Sequence, residues 1–442
     1  MKKAHFRRTP LASGLTPTEA LRTLRDDYRP VALVGKWAGG GALLASEPLA
    51  VARSDEDPFA VLSRHPEIEG ASADAVGGGW FGYLGYQLCS RIEKLPAPPP
   101  RQREVPFFDL AFYDHLLRYE LETKQWWFEA LWTPERAGAL ARRLELLRNR
   151  LQAQPEPERA YAVGPFESHP SAERHRAAVD CCVDRIWAGD VFQVNLCLRL
   201  EAAFEGDPLE LFCSCSVGLA PDYSALIRTP EVAVVSLSPE LFLKRSGRAV
   251  TSRPIKGTIR RAFPDASDSH RLQASAKDRA ENVMITDLVR NDLGRVCVPG
   301  SITVPSLGRP ESHPGVWHLV TTVEGILRDE VSDASLLRAS FPPGSVTGAP
   351  KVRAMELIAE LESSAREVYT GAIGYSSPMS GMELNVAIRT FEISGGRVWL
   401  GAGGGIVSDS DPQAELEECF TKASPLIEMA RLRSHEPVAT PT

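Results

Sequence analysis

The sequence lacks the long apolar runs that membrane proteins require. No stretch of its 442 residues is apolar over the length that a bilayer-spanning helix needs. The basic N-terminus, MKKAHFRRTP, is not followed by the apolar core of a secretory signal. Positive charge is also in deficit, because 50 Lys and Arg against 57 Asp and Glu give a net charge of −7. We therefore expect a cytoplasmic protein whose partners are neither membranes nor nucleic acids.

Cysteines are few, and they are scattered rather than arranged as a disulfide framework. The adjacent Cys181 and Cys182 suit a buried helix face better than a disulfide bond. Cys213 and Cys215 have a spacing that could hold a metal, but no second cysteine pair or histidine cluster accompanies them. We interpret them as structural, in a reducing environment.

The chain divides by composition into two regions. Residues 1–154 end in a segment of arginines and leucines at helical spacing, and a connector rich in proline and charge follows. The second region covers residues 172–433 and begins with a helix that runs to Trp187. Its predicted strands and helices alternate irregularly, which favours an α+β fold over a doubly wound sheet.

Lys256 lies in the run RPIKGT, where the backbone is restricted on both sides. Pro254 fixes its own φ, and Gly257 allows a conformation or a close approach that a Cβ would forbid. An amine held rigidly and partly desolvated binds its proton less tightly and becomes a nucleophile. Glu240 precedes it by about one hairpin, so the two side chains could meet as an acid/base and a nucleophile. A solvated lysine at a strand end is the alternative that this run leaves open.

Carboxylates recur on two predicted helices. Glu281 shares a helix face with an apolar stripe, so it needs a cation or a metal as a partner, and Lys277 one turn earlier is the simplest candidate. A later helix begins at residues 410–412 and carries Glu415, Glu418 and Lys422 on one stripe. There a solvated face with a Glu418–Lys422 ion pair is the competing interpretation.

A glycine-rich segment, GAGGGIV at residues 401–407, comes just before the second of these helices. We expect a loop whose bare N–H groups cradle a carboxylate or a phosphate. Two glutamates beside an anion are unfavourable unless a cation lies between them, so the combination suggests Mg²⁺ and a polycarboxylate. Arg389 could pair with a carboxylate through two hydrogen bonds. His318, in an apolar strand, is either a satisfied core histidine or a hydrogen-bonding group of a site.

Together these segments resemble the chorismate-utilising enzymes, the family of anthranilate synthase component I, aminodeoxychorismate synthase component I, isochorismate synthase and salicylate synthase. The resemblance covers the second region through the segments AGDVFQVNL, SLSPE, RPIKGT, AKDRAENVMITDLVRNDLGRV, HLVTTVEG, FPPGSVTGAPKVRAMELI, YTGAIGY, AIRT, GAGGGIV and ELEECFTK. In the first region, GGWFGYLGY resembles the amino-terminal part of the anthranilate and aminodeoxychorismate branches. The resemblance implies antiparallel sheets packed in a sandwich, with helices outside.

The resemblance also implies residue roles. Glu281 and Glu418 match Mg²⁺ ligands, with Glu415 close to the same site. Glu240 matches the general acid/base at the ring hydroxyl, and Thr347 and His318 match polar residues that line the ring. The positions that match those holding the substrate carboxylates are Tyr369, Arg389, Gly403, Gly404, Gly405 and Lys422.

Two positions divide the family. Isochorismate and salicylate synthases have a water-activating lysine where this chain has Gln193, so ammonia rather than water is the expected reactant. Anthranilate and isochorismate synthases have alanine where this chain has Lys256, whereas the aminodeoxychorismate branch has lysine. The resemblance thus implies conversion of chorismate and ammonia to 4-amino-4-deoxychorismate, a precursor of 4-aminobenzoate and folate. Anthranilate formation with loss of pyruvate is the nearest alternative, and the intact glutamates argue against a noncatalytic binding subunit.

The source of ammonia is expected to be a second protein. A triad-type glutaminase needs a cysteine on a glycine-flanked elbow, and none of the eight cysteines has that setting. We expect a heterodimer with a glutamine amidotransferase subunit. The segment at residues 43–46 has Ala45 where anthranilate synthases have the glutamate of a tryptophan-binding Leu-Leu-Glu-Ser segment. Tryptophan inhibition is therefore not expected, and a structural tryptophan stays open.

Overall fold

Two large β-sheets form the framework of the protein. The computed structural model describes residues 3–70, 75–101, 105–260, 267–314 and 316–432. The helices are α1 (Pro17–Arg22), α2 (Pro58–Leu62), α3 (Ala137–Gln152), α4 (Ala172–Trp187), α5 (Pro208–Leu219), α6 (Ser267–Ala274), α7 (Ala276–Gly294), α8 (Asp333–Ser340), α9 (Lys351–Leu361) and α10 (Pro412–Leu432). Within these described ranges, no helix is long and apolar enough to cross a membrane.

The strands follow one another along the whole chain. They are β1 (Ala4–Leu11), β2 (Val31–Gly35), β3 (Gly41–Ala45), β4 (Ala50–Val51), β5 (Ile68–Glu69), β6 (Gly79–Leu84), β7 (Phe108–Tyr113), β8 (His115–Glu120), β9 (Gln125–Trp132), β10 (Tyr161–Val163), β11 (Glu167–His169), β12 (Gln193–Gly206), β13 (Tyr223–Arg228), β14 (Ala233–Ser238), β15 (Leu241–Ser246), β16 (Ala249–Arg253), β17 (Ile255–Arg260), β18 (Thr303–His313), β19 (Val316–Ile326), β20 (Gly348–Ala349), β21 (Ala372–Ser377), β22 (Gly381–Val386), β23 (Thr390–Ser394) and β24 (Arg397–Ile406).

Each sheet combines strands from both sequence regions. The first sheet has the order β10-β12-β24-β23-β14-β13-β2-β3-β8-β9-β1-β5, and the second has the order β17-β19-β16-β15-β22-β21-β6-β7-β4. Their ladders are antiparallel, except that β1 and β5 pair in parallel. The two regions join where β2 pairs with β13 and where β6 pairs with β21. The division of the chain at residues 154 and 172 stays a prediction.

The sheets pack face to face, as the sandwich prediction requires. One buried cluster contains Leu33 and Val234 from the first sheet together with Phe81 and Tyr375 from the second. A second cluster joins the first sheet to α1, α3, α5 and α10, and a third joins the second sheet to α2, α7 and α8. Apolar side chains on the outer sheet faces are thus covered by helices. The α+β class and the antiparallel sandwich are confirmed.

The glycine-rich segment is not a loop, so that expectation is wrong. Residues 401–406 continue β24 and pair with β12, with Gly405 opposite Asn195 and Gly403 opposite Cys197. The ladder extends through the glycines because each still offers one N–H and one C=O, while the missing side chains leave the strand's faces bare. The helix predicted to carry Glu281 is confirmed as α7, and the one predicted to begin at residues 410–412 is confirmed as α10.

A fully buried arginine joins the elements that carry the candidate site. The Arg366 guanidinium donates to both carboxylate oxygens of Glu362, at 2.9 Å for Nε to Oε2 and 2.6 Å for Nη2 to Oε1. It also donates to the carbonyl oxygens of Asn195 (2.6 Å) and Val346 (2.8 Å). Both side chains of the pair are 2% exposed, so neither charge has water to replace its partner.

We predict that Arg366→Met lowers the free energy of unfolding by about 3–5 kcal/mol, because Glu362 would keep a buried charge without its cation. The matched control is Arg353→Met on α9, whose guanidinium pairs with Asp190 and Glu356 while one-third exposed. A surface pair contributes at most about 1 kcal/mol. Urea unfolding of both variants measures the difference, and equal losses would contradict a structural role for the buried pair.

Candidate active site

Lys256 lies at an irregularity in the edge strand β17. The register between β17 and β19 shifts between Ile255 and Thr258, so the two residues in between leave the regular ladder. Gly257 has a φ of +86°, and a Cβ there would stand 3.0 Å from a carboxylate oxygen of Asp278. The predicted requirement for glycine after the lysine is confirmed. Asn282 of α7 donates to the Lys256 carbonyl at 2.9 Å and ties the strand to the helix.

The Lys256 amine is enclosed among charged groups. Its side chain is 11% exposed, and Nζ is 3.9 Å from Oε2 of Glu281. Burial lowers the pKa of Lys256, and the nearby positive charge of Lys422 acts in the same direction. The carboxylates of Glu281, Glu240 and Glu418 oppose this shift without cancelling it. The amine is therefore more easily deprotonated than an ordinary lysine.

Glu240 is the buried acid of the site. It follows β14 and precedes β15, and it is 3% exposed. The Ser345 hydroxyl donates to its Oε1 at 2.5 Å. Burial raises the pKa of Glu240 to about 7, although Ser345, Lys256 and Arg389 each favour the carboxylate. The charge of each of Glu240 and Lys256 affects the pKa of the other, and their pairing as acid and nucleophile stays a prediction.

Arg389 presents a guanidinium that lacks an anionic partner within the described part of the chain. It lies between β22 and β23 with a φ of +51°, a left-handed conformation that is unfavourable for a side chain of this size. Its carbonyl accepts from Leu237 N at 2.9 Å, but no hydrogen bond or ion pair from the described residues engages the guanidinium. Burial lowers its pKa, and Glu240 is the charge that opposes this. A desolvated guanidinium beside the buried acid fits a carboxylate ligand.

The bare glycine strand allows side chains from two directions to approach. A Cβ on Gly404 would stand 3.0 Å from Oε2 of Glu415 and 3.6 Å from Oε1 of Glu418. A Cβ on Gly405 would stand 1.9 Å from Nε2 of Gln193 and 3.4 Å from Nζ of Lys256. These approaches explain why the strand needs glycines even though it is a regular ladder member.

Each of the three predicted metal glutamates lies near a lysine, and two of them, Glu415 and Glu418, also approach Gly404 of this strand. Glu281 is near Lys256, Lys277 lies 3.7 Å from Glu415, and Lys422 donates to Glu418 at 2.6 Å. Burial raises the pKa of Glu281, whereas Lys422 lowers the pKa of Glu418 despite burial. The pKa of Lys422 is raised, because the attraction of the Glu418 carboxylate more than offsets the lowering effect of burial.

This donor set fits a hard cation, although the described residues do not form a closed metal cluster of three or more acidic, histidine or cysteine side chains. The Glu415 side chain is buried, and its Oε2 lacks a hydrogen-bond partner among the described residues, while Oε1 accepts from Ser410 at 2.6 Å. Mg²⁺ is usually held by one or two protein carboxylates, while water and substrate fill its other coordination positions. A carboxylate oxygen without a hydrogen-bond partner, close to a second carboxylate, fits this requirement.

The remaining predicted residues line the same region. His318 Nδ1 is 2.8 Å from the Thr258 hydroxyl, and its buried Nε2 has no partner in the described structure. Thr347 is fully buried, and its hydroxyl donates to the Gly344 carbonyl at 3.2 Å. The Tyr369 ring lies against Gly401, where a Cβ would come within 2.2 Å of it. Lys422 donates to the carbonyl of Gly403 at 3.0 Å.

The sequence does not predict Ser345 as a site residue, and Lys277, expected beside Glu281, instead lies 3.7 Å from Glu415. Ser345 lies two residues before Thr347 in the segment FPPGSVTG, so its position was available, but nothing in the sequence shows that its hydroxyl reaches Glu240. Gln193 appeared only as a marker of family branch, yet its amide lies against Gly405, the glycine that Lys256 also approaches.

Comparisons with known proteins give one consistent family. The model of the chorismate binding enzyme family matches residues 43–428. Aminodeoxychorismate synthase component 1 of Klebsiella aerogenes is 39% identical over 79% of this chain and 76% of its own length. Anthranilate synthase component 1 of Thermus thermophilus is 36% identical over 85% of this chain and 81% of its own length.

Among solved structures, anthranilate synthase component I from Streptococcus pneumoniae aligns over 96% of this chain and 92% of its own, with 26% identity and a TM-score of 0.74. The menaquinone-specific isochorismate synthase of Escherichia coli aligns over 97% and 94% with a TM-score of 0.77, and at 20% identity it supports the fold alone.

We predict that the His318 imidazole stays neutral throughout the physiological range. Burial and the neighbouring Arg389 lower the pKa of His318 to about 2. In NMR spectra of the histidine-labelled protein, the ring signals assigned to His318 by their loss in His318→Asn should not shift between pH 5 and 8. A signal that titrates there, as an ordinary imidazole does, would contradict the buried environment.

Proposed function

The chain belongs to the family of chorismate binding enzymes, and we propose that within it this chain converts chorismate and ammonia to 4-amino-4-deoxychorismate. The observation that carries the proposal is the position of Lys256. Its amine is buried beside the acid Glu240, the glycine strand and Arg389, whose guanidinium has no anionic partner among the described residues. A lysine that had only a structural role would gain little from burial in a cluster that weakens its hold on a proton.

Lys256 and Glu240 supply the two groups that displacement of a ring hydroxyl needs. The neutral amine forms a bond to ring carbon C2, and the double bonds shift as the C4 hydroxyl leaves as water with the proton of Glu240. Ammonia then bonds to C4 and the Lys256 amine departs from C2. The new C4 ammonium returns one proton to the Glu240 carboxylate, so both groups end in their starting forms.

Burial favours the protonation states from which this sequence begins. It disfavours charge on both groups, lowering the pKa of Lys256 and raising that of Glu240 to about 7. The neutral form of Lys256 and the protonated form of Glu240 can therefore coexist at one pH. A solvent-exposed Lys–Glu pair would instead exist almost entirely as an ion pair.

The substrate carboxylates are proposed to bind the positive groups around this pair. Arg389 offers a planar guanidinium, and Lys422 an ammonium that also contacts Gly403. The backbone N–H groups and bare surface of Gly403 to Gly405 allow a flat ligand to approach β24 closely. Tyr369, which packs on Gly401, would complete this wall, and Thr347 and His318 would line the ring.

Glu281, Glu415 and Glu418 are the residues that we propose hold Mg²⁺. When bound, the ion would neutralise the negative charge of a substrate carboxylate beside the glutamates. Lys277 pairs with Glu415 and Lys422 with Glu418. Both lysine side chains are about half exposed, so they can turn away from the glutamates. The glutamates would also orient the substrate so that C2 faces Lys256.

Ammonia is proposed to come from a separate glutamine amidotransferase. Relatives of both branches are named as component 1, which implies a second component. The eight cysteines of this chain are free, and seven of them are buried. Burial raises the pKa of, for example, Cys197 and Cys419, which is unfavourable for a nucleophilic thiolate.

Anthranilate synthesis is the second candidate, because relatives of that branch reach similar identity. It would use the same chorismate, and amination at C2 would be followed by loss of pyruvate. The two functions differ at Lys256, since a lysine amine that occupies C2 excludes ammonia from that carbon. Chromatography of the product and anthranilate fluorescence in one assay distinguish them.

We predict that Lys256→Met lowers the formation of 4-amino-4-deoxychorismate from chorismate, Mg²⁺ and ammonium at least 100-fold. Methionine keeps much of the stem but cannot attack carbon, and loss of covalent catalysis has effects of this order or larger. Product is measured by chromatography with ammonium as the nitrogen source, so that no partner is needed. Lys94→Met, at an exposed position, is the control and should retain full activity. Unchanged product formation in the Lys256 variant would exclude the nucleophilic role.

We also predict a pH dependence that arises from Glu240. As the general acid it must be protonated, and its pKa of about 7 means that kcat falls as the pH rises through neutrality. Glu240→Gln should lower kcat about 10²–10⁴-fold and remove this alkaline limb. A Glu240→Gln enzyme with the same alkaline limb as the wild type would show that another group produces it.

A further inference from the structure

Ser345 makes a short hydrogen bond to the buried acid Glu240. Its hydroxyl donates to Oε1 of Glu240 at 2.5 Å, and both residues are largely buried. Because the donated hydrogen occupies Oε1, the acidic proton of Glu240 is directed to Oε2. Together with the backbone hydrogen bond from Ile255, this contact orients the carboxyl, and it favours Oε2 as the oxygen that delivers the proton.

The turn that carries Ser345 is anchored to α7. Ser345 is the middle residue of a 3₁₀ turn at Gly344–Val346, and a Cβ on Gly344 would stand 2.9 Å from the Leu288 side chain. The start of the turn is held by Lys351, which donates to the carbonyls of Ser340 (2.8 Å) and Pro342 (2.9 Å). Lys351 also donates to the Asp292 carboxylate of α7 at 2.5 Å. The Ser345 hydroxyl is therefore fixed by packing rather than free to follow Glu240.

A small cavity lies behind this contact. Glu240 and Ser345 line it together with Ser252, Ser340 and the apolar Val289. The Ser340 hydroxyl is buried and has no partner in the described structure. Three serines thus line the cavity, and among them Ser345 donates to Glu240 whereas Ser340 does not.

The charged groups around Glu240 come from several elements. Lys256 approaches from β17 and Arg389 from the segment between β22 and β23, and both favour the carboxylate. Asp292 of α7 lies across the cavity, where its charge is compensated by Lys351. The Ser345 hydrogen bond acts in the same direction as the two cations, against burial.

We propose that Ser345 is a positioning residue for the acid, whose hydroxyl holds the Glu240 carboxyl with Oε2 toward the substrate and stabilises its ionised form. The inference rests on the proposed function, in which Glu240 protonates the leaving hydroxyl. Ser345 would act on the reaction through Glu240 and would set the pH range in which the enzyme works. Loss of the hydroxyl should make Glu240 harder to ionise, because a buried carboxylate would lose a donor.

The test compares Ser345→Ala, Ser345→Thr and Ser340→Ala with the wild type. The consumption of chorismate is followed from pH 5.5 to 9.5 with saturating ammonium and Mg²⁺, so that the profile does not depend on which product forms. In Ser345→Ala the alkaline limb of kcat should move up by about one to two pH units, and kcat on the acidic side should fall about 10-fold. Ser345→Thr, which keeps the hydroxyl, and Ser340→Ala, which removes one from the same cavity, should both keep the wild-type limb. Thermal unfolding checks that the variants are folded.

The possible results distinguish a failure of this inference from a failure of the proposed function. An unmoved alkaline limb in Ser345→Ala, or an equal shift in Ser340→Ala, would overturn the positioning role. An enzyme that forms anthranilate but shows the predicted shift would overturn the proposed product and leave the role of Ser345 standing. Absence of chorismate consumption by the wild type would overturn both.

Discussion

The bare surface of β24 is the constraint on which the candidate site depends. Three successive glycines remain in a regular ladder with β12, so the strand stays rigid while its faces carry no side chains. Glutamates of α10 approach Gly404, and Gln193 and Lys256 approach Gly405; a methyl group on Gly405 would clash with the Gln193 amide, and one on Gly404 would crowd Glu415. Removing side chains from one strand thus creates the space in which charges from four other elements meet.

These charges are balanced against each other rather than neutralised by water. Each of the three glutamates near β24 has a lysine within 4 Å, and Lys256 is the most buried of the three lysines. Arg389 stands apart with a desolvated guanidinium and a left-handed backbone. Such an arrangement is costly in the absence of a ligand, because desolvation is only partly offset by the ion pairs. An anionic ligand with a divalent cation would supply the missing interactions, which is why the site suits chorismate and Mg²⁺ as proposed.

Some of this organisation could be predicted from the sequence, and the reasons are physical. Helix α7 follows from its apolar period, and the same period places Glu281 on the buried face. The need for glycine after Lys256 follows from the limited conformations of other residues, and the structure shows the positive φ. The glycine segment was misjudged as a loop because glycine favours turns locally, whereas here the partner strand β12 decides the conformation. Contacts between distant segments, such as Ser345 with Glu240 or Arg366 with Asn195, leave no periodic signal, since they depend on how the sheets and helices pack.

The central claim is that the Lys256 amine bonds covalently to the substrate ring. Intact-mass measurement of the wild-type enzyme incubated with chorismate and Mg²⁺, with ammonia excluded, tests it most directly. The account predicts a mass increase equal to chorismate minus water, localised by peptide mapping to the segment that contains Lys256 and absent in Lys256→Met. An enzyme that turns over chorismate with ammonium but shows no adduct at Lys256 under these conditions, or shows it at another residue, would contradict the account.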